Sequence, residues 1–228
     1  MKKFFISLGI IVLAILLVIV AQLIMVYMGI LPKNPADYFP KHIFLLLIPQ
    51  AISFTASAWL ILRITNHKSF PWFKNIRIRD FFIAFAGWVI VLLLASLTVK
   101  LSGIEVHQFE QFKKENLRSN IALLTFSIVI LAPVYEEYIF RGAILGVLIN
   151  RENMSKRHMA FGALISGIFF TLIHLDLDAA IPIFFLGIYL SILTLWKKSI
   201  HLSVFVHILQ NISGLIGLVS DLPDKWKV

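Results

Sequence analysis

Long apolar runs alternate with short polar gaps along the whole chain. Seven of these runs are long enough, or nearly so, to cross a bilayer as helices of about 20 residues. They are Phe4–Ile30, His42–Leu62, Phe81–Val99, Ile121–Tyr135 with its continuation, Met159–Leu175, Ala179–Trp196 and Ser199–Ser220. Because a lipid-exposed backbone must satisfy its own polar groups, the pattern predicts an all-α, polytopic transmembrane helix bundle of about seven spans.

The composition agrees with lipid as the solvent. Hydrophobic residues make up 59% of the chain and charged residues 14%, against roughly one quarter charged residues in a soluble domain. The net charge of +9 raises the alternative of nucleic-acid binding, but the basic residues lie in the gaps between runs and not on one exposed face. We therefore predict the lipid bilayer as a partner and no nucleic acid. The absence of cysteine excludes disulfides, a thiolate nucleophile and a Cys-ligated metal.

The basic residues also predict the orientation. The first run is too long for the core of a signal peptide and lacks a clear small-residue cleavage site, so we expect it to be kept as a span. With a cytoplasmic amino terminus, thirteen of the 21 basic residues face the cytoplasm, namely Lys2, Lys3, Arg63, Lys68, Lys74, Arg77, Arg79, Arg141, Arg151, Lys156, Arg157, Lys197 and Lys198. The positive-inside rule then predicts a multi-pass protein of the cell membrane with its carboxyl terminus outside.

The chain shows no internal repeat and no second domain. We expect one integrated membrane domain, with amino-terminal spans and basic loops over residues 1–118 and the core that carries the chemistry over residues 119–220. Between the third and fourth runs, Ile104–Arg118 interleaves charged residues with Val106, Phe109 and Phe112. Two interpretations stay open for it, an amphipathic helix at the interface and a solvated loop.

A first cluster of ionisable residues, Glu136, Glu137 and Arg141, continues the fourth run. Such residues cost at least ~2.5 kcal/mol at the centre of a span and by default mark a functional site. Glu137 and Arg141 stand at i and i+4 with the acid first, which favours an ion pair. Glu136 lies about 100° round the helix and is left free to act as a general base.

The alternative for this cluster is that the helix ends at Tyr135 and all three charges lie in cytoplasmic water. Against it, Ile139 and Phe140 continue an apolar face. Gly142 and Gly146 add a small-residue surface of the kind that packs helices closely in lipid.

Two further clusters lie on later runs. Phe170 and His174 are one helical turn apart, so the aromatic ring should pack beside an imidazole that can share a water or bind a metal. His207 and Asn211 project from one face of the last run and can donate to a developing oxyanion. The alternatives are an interfacial His174 and interhelical hydrogen bonding by His207 and Asn211. His201 is expected at the interface and outside the site.

Together the three clusters resemble the CAAX protease and bacteriocin-processing family of intramembrane peptidases, also called the Abi family. Its pattern is Glu-Glu-x-x-x-Arg, then Phe-x-x-x-His, then His-x-x-x-Asn or Asp. Here the pattern reads Glu136-Glu137-Tyr-Ile-Phe-Arg141, Phe170-Thr-Leu-Ile-His174 and His207-Ile-Leu-Gln-Asn211. The resemblance covers about half of the chain, from Ile121 to Gly217.

The resemblance implies roles for these residues. Glu136 and His174 would activate the attacking water, and His207 and Asn211 would stabilise the oxyanion. In a metal-dependent mechanism, zinc or another divalent metal would be held by Glu136, His174 and His207. The residues that give structural support would be Glu137, Arg141 and Phe170.

The function implied is that of an intramembrane endopeptidase cleaving a peptide or a lipidated protein, and the short chain resembles the bacterial members. The alternative is a non-enzymatic membrane protein that gives bacteriocin self-immunity or regulates a membrane partner. A transporter using these groups as a proton relay is a third interpretation, but the paired broken helices of transporter repeats are missing from the sequence.

One expectation comes from depth in the membrane. Counted along ideal helices, Glu136 lies ~25 Å from the outer face and His174 ~25 Å from the inner face. They can meet if the fourth helix is kinked at Pro133 and runs to Asn150, and if the helix bearing His174 begins in the cytoplasm. A separation of more than about 12 Å between Glu136 and both His174 and His207 would contradict the catalytic interpretation.

Overall fold

The protein is described by a computed structural model that covers residues 2–33, 43–74, 76–103, 121–149, 155–174, 176–177 and 179–220. In these residues all regular structure is helical. In chain order the elements are α1 (Lys2–Tyr27), α2 (Ile43–Thr65), α3 (Ile78–Ser102), α4 (Ile121–Thr125), π1 (Phe126–Leu131), α5 (Ala132–Glu137), π2 (Tyr138–Ile144), α6 (Leu145–Leu148), α7 (Lys156–Leu172), α8 (Ala180–Lys197) and α9 (His201–Ser220).

The prediction of an all-α bundle is confirmed, because α4 to α6 form one continuous helical segment and each of the seven apolar runs is a helix. Among the described residues, four helices are long and apolar enough to cross a membrane: Phe5–Tyr27, Leu45–Thr65, Ile78–Ser102 and Ala180–Lys197. The other three segments carry the polar residues of the three motifs. The segment 104–118, with its two open interpretations, lies outside the described residues.

The fourth segment continues through Pro133 to Leu148, so the alternative in which it ends at Tyr135 is wrong. Its interruption takes the form of two π-helical stretches on either side of α5. The amide of Ala132 donates to the carbonyl of Ser127, and that of Leu145 donates to the carbonyl of Phe140. Stretches of π-helix inside α-helices are frequent at functional sites.

The segment that carries the acids is enclosed by other helices. α2 packs along π1, α5 and π2, and α9 packs on π1 and α5. On the far side, α7 and α8 cross closely, because Gly167 and Gly187 face each other without side chains. A Cβ placed on Gly187 would lie 3.1 Å from the Gly167 Cα and 3.2 Å from Phe170 Cδ1.

The extended segment after α2 closes one end of the bundle. The amide of Phe70 donates to the Gly142 carbonyl at 3.3 Å, and the Ser199 hydroxyl lies 2.9 Å from the carbonyls of Pro71 and Trp72. The predicted use of Gly142 and Gly146 for helix packing is therefore corrected. Positions 142 and 146 face Ser69 and the Lys68 carbonyl, because this segment needs close access to the helix backbone to pair its own polar groups.

Candidate active site

A buried ion pair forms the base of the site. Arg141 Nη1 donates to Glu137 Oε1 at 2.8 Å, and both side chains are 0% exposed. This confirms the predicted i, i+4 pairing. The second guanidinium nitrogen, Nη2, donates to the Gly187 carbonyl at 2.8 Å, and the guanidinium carbon lies 4.4 Å from the centroid of the Phe170 ring. The cation is thus held by a carboxylate, a carbonyl and an aromatic face together.

His207 reaches the same carboxylate from α9. Its Nδ1 lies 2.9 Å from Glu137 Oε1, and the ring is buried. Because an ionised carboxylate can only accept, Nδ1 is the donor and Nε2 of the neutral ring is an acceptor. Glu137 therefore fixes both the orientation and the tautomer of His207. In many active sites a third group orients the catalytic base in this way.

Glu136 lies on the other side of His207. Its Oε2 is 3.8 Å from His207 Nε2, and its side chain is 13% exposed. This oxygen is buried and accepts no hydrogen bond from the described residues. Two adjacent acids thus have different surroundings, as predicted: Glu137 is paired with Arg141 and His207 through its Oε1, and Glu136 makes no direct hydrogen bond to the described residues through its Oε2.

His174 lies next to this group but is not joined to it directly. Its Nδ1 is 2.6 Å from the Phe170 carbonyl, and its ring centroid is 4.7 Å from that of Phe170, which confirms their predicted contact. The Phe170 ring also lies 5.5 Å from the His207 ring. Phe170 therefore separates an exposed imidazole from a buried one, and His207 is the histidine beside Glu136.

Asn211 is engaged in a bond to the backbone. Its Nδ2 donates to the Ile128 carbonyl in π1 at 2.8 Å. The neighbouring Gln210 accepts from Trp88 Nε1 at 2.9 Å, which ties α9 to α3. Asn211 therefore bridges helices, the alternative that the sequence left open for this residue, and Gln210 does the same.

Three features of the structure were not found from the sequence. The Gly187 carbonyl, which accepts from Arg141, is a backbone group, and the glycine itself was the only signal for it in the sequence. Gln50 accepts from the Tyr135 hydroxyl at 3.1 Å, and an amide inside the apolar run of α2 was the available signal. His201, expected at the interface, is 5% exposed inside the protein and pairs with the Ser199 hydroxyl at 2.9 Å.

The predicted metal would need its ligands to converge on one point. Among the described residues, no three His, Asp or Glu side chains converge as the ligands of one ion. Zinc sites use at least three protein ligands within about 2.3 Å of the metal. Here Glu137 is occupied by Arg141 and His207, and His174 is directed to the Phe170 carbonyl. The residues in this arrangement do not fit the predicted metal.

Comparison with known proteins agrees with this core. Residues 118–213 match the family model described as type II CAAX prenyl endopeptidase Rce1-like. The chain is also similar to the membrane-embedded CAAX protease MroQ of Staphylococcus aureus, with 34% identity over 94 residues, which are 40% of this chain and 37% of MroQ. The similarity thus spans little more than a third of that relative. No solved structure matches the chain. The segment 118–213, which contains all three motifs, is thus similar to the CAAX proteases.

Proposed function

We propose that the chain is a membrane-embedded endopeptidase in which Glu136 and His207 activate the attacking water. The observation that carries this proposal is the 3.8 Å separation between Glu136 Oε2 and His207 Nε2, on two different helices. This separation is too long for a direct hydrogen bond, and a bridging water is the first candidate at such a distance. With Glu136 ionised, both atoms are acceptors, so the water donates one hydrogen to each and keeps its lone pairs for the substrate.

The reaction then follows from these groups. The water oxygen attacks the scissile carbonyl carbon while Glu136 takes its proton, and the carbonyl electrons move to the oxygen. When the tetrahedral intermediate collapses, the C–N bond breaks and Glu136 returns the proton to the leaving amine. Throughout, Glu137 keeps His207 in place, and Arg141 keeps Glu137 ionised.

His174 is proposed to act from the exposed side. Because its Nδ1 faces the Phe170 carbonyl, Nε2 is the nitrogen available to a bound substrate. In the protonated ring this N–H can donate to the oxyanion as charge develops. The resemblance assigned His174 to the water and His207 to the oxyanion, and the contacts favour the reverse.

The substrate is proposed to be a peptide or a lipidated protein. The family description names prenyl substrates, and an apolar groove next to His174 suits a lipid chain. The groove lies between α3, α7 and α8 and is lined by Thr98, Ile168, Thr171, Leu172, Ala180, Ile181, Phe184 and Phe185. Thr171 and Leu172 also belong to the helical turn that leads to His174.

The test compares wild type with Glu136→Gln in membranes, using lipidated and unmodified peptides and scoring cleavage by mass spectrometry. Glu136→Gln keeps the shape of the side chain but removes the base, so we expect cleavage to fall by roughly 10²-fold or more. Glu152→Gln makes the same change at a sequence position outside the three motifs and should cleave like wild type.

A chelator arm decides on metal dependence. Cleavage that survives the chelator supports a mechanism carried by Glu136 and His207 alone. If wild type and Glu136→Gln are both folded and neither cleaves any peptide, the peptidase proposal is wrong and the non-enzymatic alternative replaces it. If both cleave equally, Glu136 is not the base.

A further inference from the structure

The bond between Asn211 and the Ile128 carbonyl joins α9 to π1 at 2.8 Å. We infer that Asn211 is a positioning residue: it supplies the hydrogen bond that Pro133 cannot make, and so holds His207 in register with Glu136. The part of this inference that concerns catalysis rests on the proposed function. The structural part does not.

The hydrogen-bond pattern of π1 explains why this carbonyl needs a partner. In a π-helix each amide donates to the carbonyl five residues earlier. The amide of Ala132 does so to Ser127. The next bond in the series would run from residue 133 to Ile128, but a proline has no N–H. The π-helical pattern therefore stops at Leu131, and the Ile128 carbonyl is left for another donor.

An unpaired carbonyl inside a membrane protein is costly, because no bulk water is available to replace the lost bond. Neighbouring helices commonly provide the substitute around a proline. Asn211 does this here with a side-chain amide whose geometry is that of a good N–H···O bond. This accounts for a polar residue in an apolar helix without any contact to a substrate.

The position of this bond gives it a consequence for the site. Asn211 and His207 stand one turn apart on α9, and they bind the fourth segment on either side of Pro133. Asn211 holds Ile128, before the proline, and His207 holds Glu137, after it. Two fixed points determine the register of α9 against α5. The 3.8 Å separation between Glu136 and His207 is set by this register.

The competing role for Asn211 is direct donation to the oxyanion. The two roles respond differently to a change at position 133. Pro133→Ala restores an N–H to the helix, and in the π register of this segment that N–H donates to the Ile128 carbonyl. A positioning residue then becomes dispensable, whereas an oxyanion donor does not.

The experiment uses the full chain in detergent and in membranes with four variants: Asn211→Leu, Pro133→Ala, the double variant, and Pro133→Ser with Asn211→Leu as a second test of the restored N–H. For Asn211→Leu alone we expect the thermal unfolding midpoint to fall by roughly 2–8 °C, and kcat for peptide cleavage to fall by about tenfold with it. The double variants should regain at least half of both losses.

Gln210→Leu is the matched control. It removes the neighbouring amide and its bond to Trp88, and the restored N–H at position 133 should not rescue it. An Asn211→Leu defect that neither position-133 substitution reduces would overturn the inference in favour of the oxyanion role. If wild type cleaves no peptide, the unfolding measurements still decide on Asn211, and it is the proposed function that has failed.

Discussion

Arg141 is the largest fully buried side chain in the described part of the protein. A buried ion pair contributes little net stability, but removing one partner is strongly destabilising because it leaves an uncompensated charge. Glu137 is the only carboxylate within salt-bridge distance of Arg141 among the described residues. The neighbouring Glu136 makes no salt bridge with Arg141, so the two acids should respond differently to the same substitution.

We predict that Glu137→Gln lowers the free energy of unfolding by about 3–5 kcal/mol, while Glu136→Gln changes it by less than about 1 kcal/mol. The amide keeps a hydrogen-bond acceptor for Arg141 but not the compensating charge. Chemical denaturation in detergent, followed by circular dichroism, measures both variants.

The double variant Glu137→Leu with Arg141→Met is the control for this prediction. It removes both charges and should be more stable than Glu137→Gln, since paired apolar replacements are often neutral. Equal stabilities of Glu136→Gln and Glu137→Gln would show that the pair contributes nothing.

The sequence predicted this pair because its geometry is local: an acid and an arginine four residues apart on a helix must be neighbours. The same reasoning could not decide which histidine lies beside Glu136. His174 and His207 are on different helices, and their distances to the acid depend on how α7 and α9 pack. α7 is positioned by its glycine contact with α8, and α9 by a bond to a backbone carbonyl, and neither feature carries a periodic signal.

At the scale of elements, the helical segments were predictable within a few residues because apolar length determines them. The two π-helical stretches were not. A proline in the fourth run indicated an interruption, but the form of the interruption depends on a donor supplied by another helix. Sequence periodicity describes one helix at a time and does not include that donor.

The close contact between α7 and α8 predicts the effect of a substitution at Gly187. Gly187→Ala would place a Cβ 3.1 Å from the backbone of Gly167 and 3.2 Å from the Phe170 ring, so the helices must separate or the ring must turn. We expect a loss of about 1–3 kcal/mol of stability, measured by denaturation. Cleavage should fall as well, because Phe170 touches both His174 and His207.

Gly146→Ala is the matched control for this contact. A Cβ at position 146 would meet only the Lys68 carbonyl, at an ordinary 3.8 Å, and alanine favours a helix over glycine by about 1 kcal/mol. We therefore expect unchanged or slightly raised stability. A Gly187→Ala protein as stable and as active as Gly146→Ala would show that the crossing can relax.

At the scale of the whole molecule, the depth of α7 connects the fold to the membrane. Its 17 residues span about 26 Å, less than the roughly 30 Å of a hydrocarbon core. Phe170, near its end, packs on His207, which is only about 9 Å along α9 from its first residue. In the predicted orientation, Phe170 reaches the depth of His207 only when the first turns of α7 lie on the cytoplasmic side.

This can be measured because the chain has no cysteine, so each single Cys variant reports one position. Lys33, Lys68, Lys100 and Ala160 are all exposed. With a cytoplasmic amino terminus, a membrane-impermeant maleimide added to intact cells should label Lys33→Cys and Lys100→Cys. Lys68→Cys and Ala160→Cys should react only after the membrane is opened.

Labelling of Lys68→Cys in intact cells would show that the orientation is inverted. Failure of Ala160→Cys to react from either side, with Lys68→Cys reactive from the cytoplasm, would place the start of α7 in lipid and contradict the cytoplasmic origin of the helix that carries His174.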